Sequence, residues 1–179
     1  MEIVFRPIEE KDNPAMAALI RGILEEFGLA RPGTVYTDPT TDALYQLFQA
    51  EGSAYLVAES GGVLVGGCGI YPTPGLPDGC GELVKFYVAS ACRGQGIGRD
   101  LLQANLAVAR ALGYQQLYLE SFPELSKAVS MYEKAGFREL PHALGQSGHT
   151  ACTLWMLKDL QEQEEGSAME RPVQAHLLT

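Results

Sequence analysis

The spacing of apolar positions along the chain changes repeatedly between the period of a strand and that of a helix. Two-residue alternation or short apolar runs predict seven strands, at residues 3–7, 54–59, 63–71, 82–88 and 115–120, from residue 137, and at residues 150–158. Helical spacing predicts four helices, which begin near residues 12, 41, 97 and 121 and end near residues 28, 49, 112 and 136. Strands and helices in this order predict an α/β fold with a mixed sheet.

Several predicted boundaries rest on residues that favour helix ends. Asp12 or Asn13 can cap the first helix, with Pro14 in its first turn, and Gly28 can end it. The segment S-F-P-E at residues 121–124 has the spacing of a capping box. We therefore expect the last helix to open at that segment.

Glycines mark the middle of the chain. The segment S-G-G at residues 60–62 separates two strands, which predicts a hairpin. The second strand of this hairpin contains Gly66, Gly67 and Gly69. Because glycine weakens a strand, these residues indicate either a bulge or a backbone that faces a ligand.

The segment R-G-Q-G-I-G at residues 93–98 lies between a predicted strand and a predicted helix. Its glycines allow a tight turn and a close approach of the backbone to a ligand. The unpaired N–H groups and the dipole at the start of the helix favour an anion there. The segment therefore predicts a phosphate or pyrophosphate site, and a plain glycine-rich connection is the simpler alternative.

The residues after this segment exclude two common phosphate motifs. A P-loop would continue with Gly-Lys-Ser/Thr, whereas Gly98 is followed by Arg99 and Asp100. A dinucleotide-binding fingerprint would place a third glycine at position 99, which is again Arg99. The ligand is therefore expected to be a different phosphate compound.

Length and charge limit the function classes. The 179 residues suit a single domain over residues 1–160, followed by a polar tail over 161–179 whose composition allows mobility. The net charge of −9 argues against nucleic acid or an anionic membrane as the main partner, and fits an amine acceptor. The sequence has neither a membrane-length apolar run nor a signal-peptide pattern, so we expect a cytoplasmic protein.

The four cysteines do not form a metal or redox motif. They lack C-x-x-C pairing and have no histidine at the spacing of metal ligands. We expect small thiols in a reducing cytosol and no metal. The residues are Cys68, Cys80, Cys92 and Cys152.

The glycine-rich segment resembles the acyl-CoA-binding signature of the GNAT superfamily of N-acyltransferases, R-x-x-G-x-G, with Val88 five residues upstream of Arg93. Further segments resemble a bacterial group in that superfamily: E-L-V-K-F-Y-V at 82–88, P-E-L at 123–125, Y-E-K-A-G-F at 132–137 and G-H-T-A-C-T-L-W-M-L-K-D-L at 148–160. The resemblance covers about residues 3–160. It implies a mixed, mostly antiparallel central sheet flanked by helices.

The resemblance implies transfer of an acetyl group from acetyl-CoA to a primary amine by direct attack. The acceptor would be a small molecule or a peptide, and a homodimer is among the states that the sequence leaves open. Two other classes compete with an enzyme: a non-catalytic acyl-CoA-binding module that senses or regulates, and an interaction protein built on the same fold.

Glu82 is the candidate general base, acting directly or through water. It lies six residues before Val88, which resembles the position of the catalytic glutamate in GNAT histone acetyltransferases. Strand alternation places Glu82 on one face with Val84, Phe86 and Val88, where partial desolvation would raise its pKa, and places Lys85 on the opposite face as a surface or pairing residue. The alternative is an edge glutamate paired with a lysine or arginine.

Tyr132 is the candidate general acid. The resemblance of Y-E-K-A-G-F to the family motif implies that this tyrosine points at the CoA sulfur and protonates the departing thiolate. The alternative is a tyrosine whose ring packs beside Met131 and Phe137.

The resemblance also implies where acetyl-CoA binds. The strand backbone that polarises the thioester carbonyl is that of Phe86, Tyr87 and Val88. The turn and helix start that hold the pyrophosphate comprise Arg93, Gly94, Gln95, Gly96, Ile97, Gly98 and Arg99. The family's common asparagine, seven residues before the motif tyrosine, is Leu125 here, so Ser126 or Ser121 is the candidate to replace its contact with CoA.

Several side chains near these motifs have two interpretations. Arg93 and Arg99 are either phosphate partners or solvated surface charges. His142 and His149, which flank the loop before the last strand, either contact the acceptor or are solvated. His176, in the tail, is expected to be inert.

Overall fold

The structure is a computed structural model that describes residues 2–161, so the predicted tail beyond Gln161 lies outside the described residues. The strands are β1 (Val4–Pro7), β2 (Ala54–Ser60), β3 (Val63–Tyr71), β4 (Cys80–Val88), β5 (Gln116–Ser121), β6 (Arg138–Leu140) and β7 (Leu154–Asp159). The helices are α1 (Asn13–Glu26), α2 (Leu44–Leu47), α3 (Ile97–Ala111) and α4 (Ser126–Lys134).

Within residues 2–161, the seven strands form one sheet in the order β1-β2-β3-β4-β5-β7-β6. Neighbouring strands are antiparallel except β4 and β5, which are parallel and joined through α3. This confirms the predicted mixed, mostly antiparallel sheet. A parallel pair needs a long crossover, and helix α3 supplies it.

The parallel strands β4 and β5 pair over only part of their length. Residues Cys80–Glu82 pair with Gln116–Tyr118. Beyond that point β4 continues to Val88 and β5 to Ser121 without pairing to each other. The sheet therefore opens into a cleft between the carboxyl ends of the two strands.

A β-bulge interrupts β4 beside this cleft. Gly67 lies opposite Tyr87 and Gly69 opposite Val84, so β4 carries one extra residue there. Lys85 within the bulge has a φ of 49°, in the left-handed region. The Tyr55 hydroxyl donates a hydrogen bond to the Lys85 carbonyl oxygen at 2.8 Å and so holds the bulge in place.

The bulge overturns the predicted alternation along β4. Val84 packs with the apolar cluster on the α1 side of the sheet, whereas Phe86 packs with the cluster on the α3 and α4 side. The prediction of a single face that carries Glu82, Val84, Phe86 and Val88 is therefore wrong. The extra residue shifts the register, and the Lys85 side chain lies on the same side as Glu82, not on the opposite face.

Three of the β3 glycines are required by close packing. A Cβ at Gly67 would lie 2.6 Å from Tyr55 Cε1, and one at Gly69 would lie 2.6 Å from Tyr55 Cδ2. A Cβ at Gly66 would lie 2.8 Å from the Tyr87 carbonyl oxygen. These glycines let the strand pass the aromatic ring of Tyr55 and pair closely beside the bulge.

Two apolar clusters cover the two faces of the sheet. One includes Leu101, Leu102 and Leu106 of α3, which are buried with strand residues such as Leu117 and Leu119. The other includes Met16, Ile20 and Leu24 of α1 and residues of β2 such as Val57. The predicted helical spacing in α1 and α3 therefore corresponds to real buried faces.

Two predicted helix boundaries are wrong. The helix predicted over 41–49 is one turn, α2, after a 3-10 segment at Pro39–Asp42, where the Asp38 side chain accepts a hydrogen bond from Thr40 N. The predicted capping box does not form because Ser121 pairs with Leu154 in the sheet, and α4 begins only at Ser126. The last strand begins at Leu154, later than predicted, because residues before it form turns.

Candidate active site

Two adjoining cavities meet at the cleft between the parted strands. One, of about 60 Å³, lies between β4 and β5 and reaches Tyr132. The other, of about 220 Å³, lies on the α1 side and is bordered by the segments around Asp38 and Gln146. The residues that line both cavities are Glu82, Val84, Lys85 and His149.

Glu82 is a buried carboxylate at this junction. Only 2% of the residue is exposed, and its carboxylate accepts a hydrogen bond from the Thr73 hydroxyl. Burial raises its pKa to about 7, the Glu120 charge raises it too, and Thr73, His149 and Lys85 act in the opposite direction. A carboxylate with this pKa can exchange a proton near neutral pH.

Glu120 is a second carboxylate in the cleft, and the sequence reasoning missed it. The Tyr118 hydroxyl donates to Glu120 Oε1 at 2.9 Å, and the Ser147 hydroxyl donates to Glu120 Oε2 at 2.7 Å. Tyr118 lies opposite Glu82 in the strand register, so Glu120, two residues further, projects to the same face. The two-residue alternation over Tyr118, Leu119 and Glu120 is the sequence pattern from which this carboxylate could have been predicted.

Asp38 connects three separate parts of the chain. Its Oδ2 atom lies 3.0 Å from Lys85 Nζ and 3.0 Å from His149 Nε2, and its Oδ1 atom accepts hydrogen bonds from Thr40. Burial alone would raise the pKa of Asp38, but these hydrogen bonds and the Lys85 charge outweigh it and lower the pKa. The carboxylate is therefore ionised at neutral pH.

Lys85 is buried, so it is not the surface residue that was one of the two predictions for it. Its side chain is 3% exposed and forms an ion pair with Asp38. Burial lowers the pKa of Lys85, and the Asp38 carboxylate opposes that effect. The expectation of a paired residue holds, whereas the expectation of the opposite strand face fails because of the bulge.

Tyr132 of α4 is buried at the inner end of the smaller cavity. Its ring centroid lies 6.0 Å from that of Phe86 and 5.8 Å from that of Phe137. Burial raises the pKa of Tyr132 well above its ordinary value, so the phenol stays protonated. Tyr132 also lines the smaller cavity.

The end of β4 presents backbone to the cleft. Phe86 and Tyr87 line the smaller cavity, and within residues 2–161 the part of β4 after Glu82 has no pairing partner on the β5 side. Burial raises the pKa of Tyr87, so its hydroxyl is neutral. Val88 ends the strand and packs with a small apolar cluster that includes Ile97.

The glycine-rich turn adopts the predicted geometry. Helix α3 begins at Ile97, as predicted, and Gly96 precedes it with a φ of 85°. Gly94 has a φ of 76°. The Asp100 N–H donates to the Gly96 carbonyl oxygen at 3.0 Å. The amides that precede Asp100 at the start of the helix have no acceptor within the helix and point out of its N-terminus.

The side chains around this turn have partners of their own. The Arg93 guanidinium forms two hydrogen bonds with Glu26, at 2.6 and 2.9 Å, and a third with the Val88 carbonyl oxygen at 3.0 Å. Arg99 pairs with Asp100 at 3.0 Å. The backbone of the turn is therefore more available to an anion than the Arg93 side chain.

The remaining predicted residues lie near the cleft or on the surface. Gln95 is in the turn and donates to the Ala91 carbonyl oxygen at 3.2 Å. Ser126 is the exposed first residue of α4, whereas Ser121 is buried at the end of β5. His142 is exposed, and His149 alone of these two histidines reaches the cavities.

The described part of the chain holds no group of three or more His, Cys, Asp or Glu side chains that could hold a metal ion. The four cysteines are free: Cys68, Cys80, Cys92 and Cys152. Among the helices of residues 2–161, none combines the length and apolar character that crossing a membrane requires.

The amino-acid sequence matches the model of one protein family. The model of the acetyltransferase (GNAT) family matches residues 20–137, more than half of the chain. The chain belongs to the GNAT family. The matched region spans both parted strands, the glycine-rich turn and Tyr132, and it confirms the family resemblance predicted from the sequence.

Relatives with curated names agree with this membership. The uncharacterized N-acetyltransferase YjgM of Escherichia coli is 40% identical over 158 residues, which cover 88% of this chain and 95% of that protein. Human N-acetyltransferase 8 is 31% identical over 116 residues, covering 61% of this chain and 51% of that protein. The chain thus matches about half the length of the human relative and nearly all of the bacterial one.

Solved structures show the same fold. A GNAT-family acetyltransferase of Staphylococcus aureus has a TM-score of 0.79 at 19% identity and covers 89% of this chain and 100% of its own. The YncA protein of Salmonella typhimurium, solved with its cofactor acetyl-CoA, has a TM-score of 0.69 at 22% identity and covers 94% and 100%. These likenesses confirm the fold class predicted from the sequence.

Proposed function

We propose that the protein transfers an acetyl group from acetyl-CoA to a primary amino group of a small molecule or a peptide, with Glu82 as the general base. The observation that carries the proposal is the position of Glu82, buried at the junction of the two cavities with a pKa of about 7. A base with a pKa near the working pH combines availability with proton affinity.

The cleft suits acetyl-CoA. The positive-φ glycines and free amides at the start of α3 form a cradle for the pyrophosphate, built from residues 93–99. The part of β4 that does not pair with β5 includes Phe86, Tyr87 and Val88, and the first two of these residues line the smaller cavity. The side chains of Arg99 and the exposed Ser126 contact the phosphates or another part of CoA. Arg93 contributes mainly through its backbone.

Acetyl-CoA supplies an activated acetyl thioester, and the side chains manage the protons. An alkylammonium has an ordinary pKa of about 10.4, so Glu82 takes its proton, directly or through water. The backbone N–H groups of the parted β4 polarise the acetyl carbonyl. Tyr132 protonates the departing thiolate; its place in the smaller cavity and its protonated phenol support this role.

We also propose that the protein works in the cytoplasm. Free cysteines, three of them buried, suit a reducing cytoplasm, where acetyl-CoA is available.

A screen of amine acceptors tests the proposal. The protein is incubated with acetyl-CoA and a panel of amino acids, polyamines, aminoglycosides and lysine peptides, and free thiol release is measured together with the acetylated product. We expect one acceptor class to give turnover. Calorimetric binding of acetyl-CoA without turnover for any acceptor would instead support an acyl-CoA sensor, and no binding would contradict both functions.

A further inference from the structure

His149 lies at the junction of the two cavities with Glu82. Of the four residues that line both cavities, Val84 is apolar and the Lys85 ammonium is paired with Asp38. Glu82 and His149 are therefore the two groups at the junction that can accept a proton. The His149 side chain is 15% exposed, which keeps it accessible from the cleft.

One contact of the ring and one of the backbone position His149. Its Nε2 atom lies 3.0 Å from Asp38 Oδ2, and its backbone N donates to the Ser147 hydroxyl at 3.1 Å. Asp38 is in turn held by Lys85 and by Thr40. The ring is thus fixed to a carboxylate from the segment between α1 and α2, far away in the sequence.

The Asp38 contact determines the tautomer of the neutral ring. An ionised carboxylate only accepts hydrogen bonds, so the hydrogen between the two groups belongs to His149 Nε2. The neutral imidazole then carries a lone pair on Nδ1. Among residues 2–161, Nδ1 has no hydrogen-bond partner. A positive charge on the ring would be balanced by Asp38.

Acetylation of an ammonium removes two protons from its nitrogen, and Glu82 accounts for only one. We propose that His149 is a second proton acceptor, which accepts a hydrogen bond from the acceptor nitrogen at Nδ1 and takes the second proton as the C–N bond forms. This role rests on the proposed function. It extends that function, because Glu82 takes the first proton before attack and His149 the second.

The protons and bonds balance in this sequence. The nitrogen lone pair forms the bond to the acetyl carbon, the C–S bond breaks, and the sulfur receives the Tyr132 proton. One nitrogen proton goes to Glu82 and one to His149. Of these two protons, one restores Tyr132 and the other passes to solvent, which leaves an amide, a thiol and one released proton.

The charges around His149 include groups from several elements. Asp38 comes from the segment between α1 and α2, Glu82 and Lys85 come from β4, and Glu120 comes from β5 and lines the same smaller cavity. Asp38 contacts the ring directly. Any pH measurement on His149 variants therefore has to be compared with the profile of the wild-type protein.

The variant His149→Gln separates catalysis from positioning. The glutamine amide nitrogen can replace Nε2 and keep the hydrogen bond to Asp38, but it has no group that takes a proton. We expect kcat to fall by about 10²-fold, with unchanged acetyl-CoA affinity and an unchanged melting temperature. The matched control is His142→Gln in the same loop, since His142 is exposed and its Nδ1 atom lies 3.2 Å from the carbonyl oxygen of its neighbour Ala143; it should keep full activity.

The outcomes are distinct. If His149→Gln keeps activity within about threefold of wild type while His149→Ala loses it, His149 only positions Asp38 and the catalytic role is wrong. If His149→Gln fails to fold, added imidazole is tested on His149→Ala, where partial recovery of turnover supports the role and no recovery contradicts it. If the wild-type protein acetylates no amine, the proposed function itself fails and this role fails with it.

Discussion

Glu82 of β4 lies opposite Tyr118 of β5 at the last position where these two parallel strands pair. Beyond it the strands part, so Glu82 is at the inner end of the cleft, buried but adjacent to both cavities. The strand pairing buries the carboxylate, which raises its pKa to about 7, and the parting of the strands leaves it at the junction of the two cavities. One structural feature therefore provides both the basicity of Glu82 and its accessibility.

Replacement of this carboxylate tests its role as the base. Glu82→Gln nearly keeps the shape of the side chain but removes its ability to take a proton. We expect the rate to fall by roughly 10²- to 10⁴-fold at neutral pH. Part of the loss should be recovered at high pH, where the amine arrives deprotonated. The pH–rate profiles of both proteins, measured with the best acceptor, decide the question; identical profiles would make Glu82 structural.

Two neighbours of Glu82 should shift its titration in opposite directions. Thr73 donates a hydrogen bond that favours the ionised carboxylate, and Glu120 contributes a like charge that disfavours it. Because the base acts when ionised, wild-type kcat/KM should fall as the pH drops below about 7. Thr73→Val should move this acidic limb to higher pH, and Glu120→Gln should move it to lower pH. Shifts in the same direction would contradict the assignment of the limb to Glu82.

Removal of the Tyr132 hydroxyl tests the proton donor. Tyr132→Phe keeps the ring contacts with Phe86 and Phe137, so we expect the melting temperature to stay unchanged. Turnover should fall by about 10²-fold while acetyl-CoA affinity, measured by calorimetry, stays the same. The control is Tyr114→Phe, whose hydroxyl donates to the Gly52 carbonyl oxygen at 2.7 Å. A rate within about twofold of wild type would make Tyr132 a packing residue.

Two glycines of comparable backbone geometry distinguish ligand binding from backbone strain. Gly96 precedes α3 with a φ of 85°, and Gly113 follows it with a φ of 89°. Valine at either position adds strain of about 1–3 kcal/mol, so both variants should lose similar stability in chemical denaturation. Only Gly96→Val should weaken CoA binding in calorimetry, because only that end of the helix faces the proposed pyrophosphate. Equal CoA affinity in the two variants would remove the turn from the binding site.

The ion pair between Asp38 and Lys85 should be important for stability. Asp38→Asn leaves the ammonium of Lys85, 3% exposed, without its counter-charge. We expect the free energy of unfolding at pH 7 to fall by about 3 kcal/mol, the lower end of the range for breaking a buried pair, because the Asp38 side chain is itself 19% exposed.

The matched control for this pair is Asp42→Asn. Asp42 pairs with Arg21 at 2.6 Å but is 61% exposed, so its loss should cost much less stability than the loss of Asp38. The pKa of Asp38 is lowered in the folded state, so its contribution is present above the ordinary pKa of about 3.9 and declines as the pH falls. Equal losses for the two variants, measured by urea denaturation, would contradict the buried character of the Asp38 pair.

The sequence by itself determined the local geometry of the segment from β4 to α3. Glycine is favoured where φ is positive, and apolar side chains at helical spacing define a buried face; both are properties of a few neighbouring residues. The start of α3 at Ile97 and the left-handed Gly96 were therefore predictable. The burial of Glu82 was also predicted, although the alternation used to argue for it was not what the structure contains.

Only the tertiary structure decided which distant groups meet at the cleft. Asp38 and His149 are 111 positions apart, and their contact depends on how two loops close over the sheet. The side on which Lys85 lies depends on a bulge that Tyr55 and the β3 glycines stabilise from neighbouring strands. Ser121, a plausible cap by sequence, is a strand residue because β7 pairs with it. Local patterns specify each element, whereas pairing energy between distant segments selects the register and brings the groups at the cleft together.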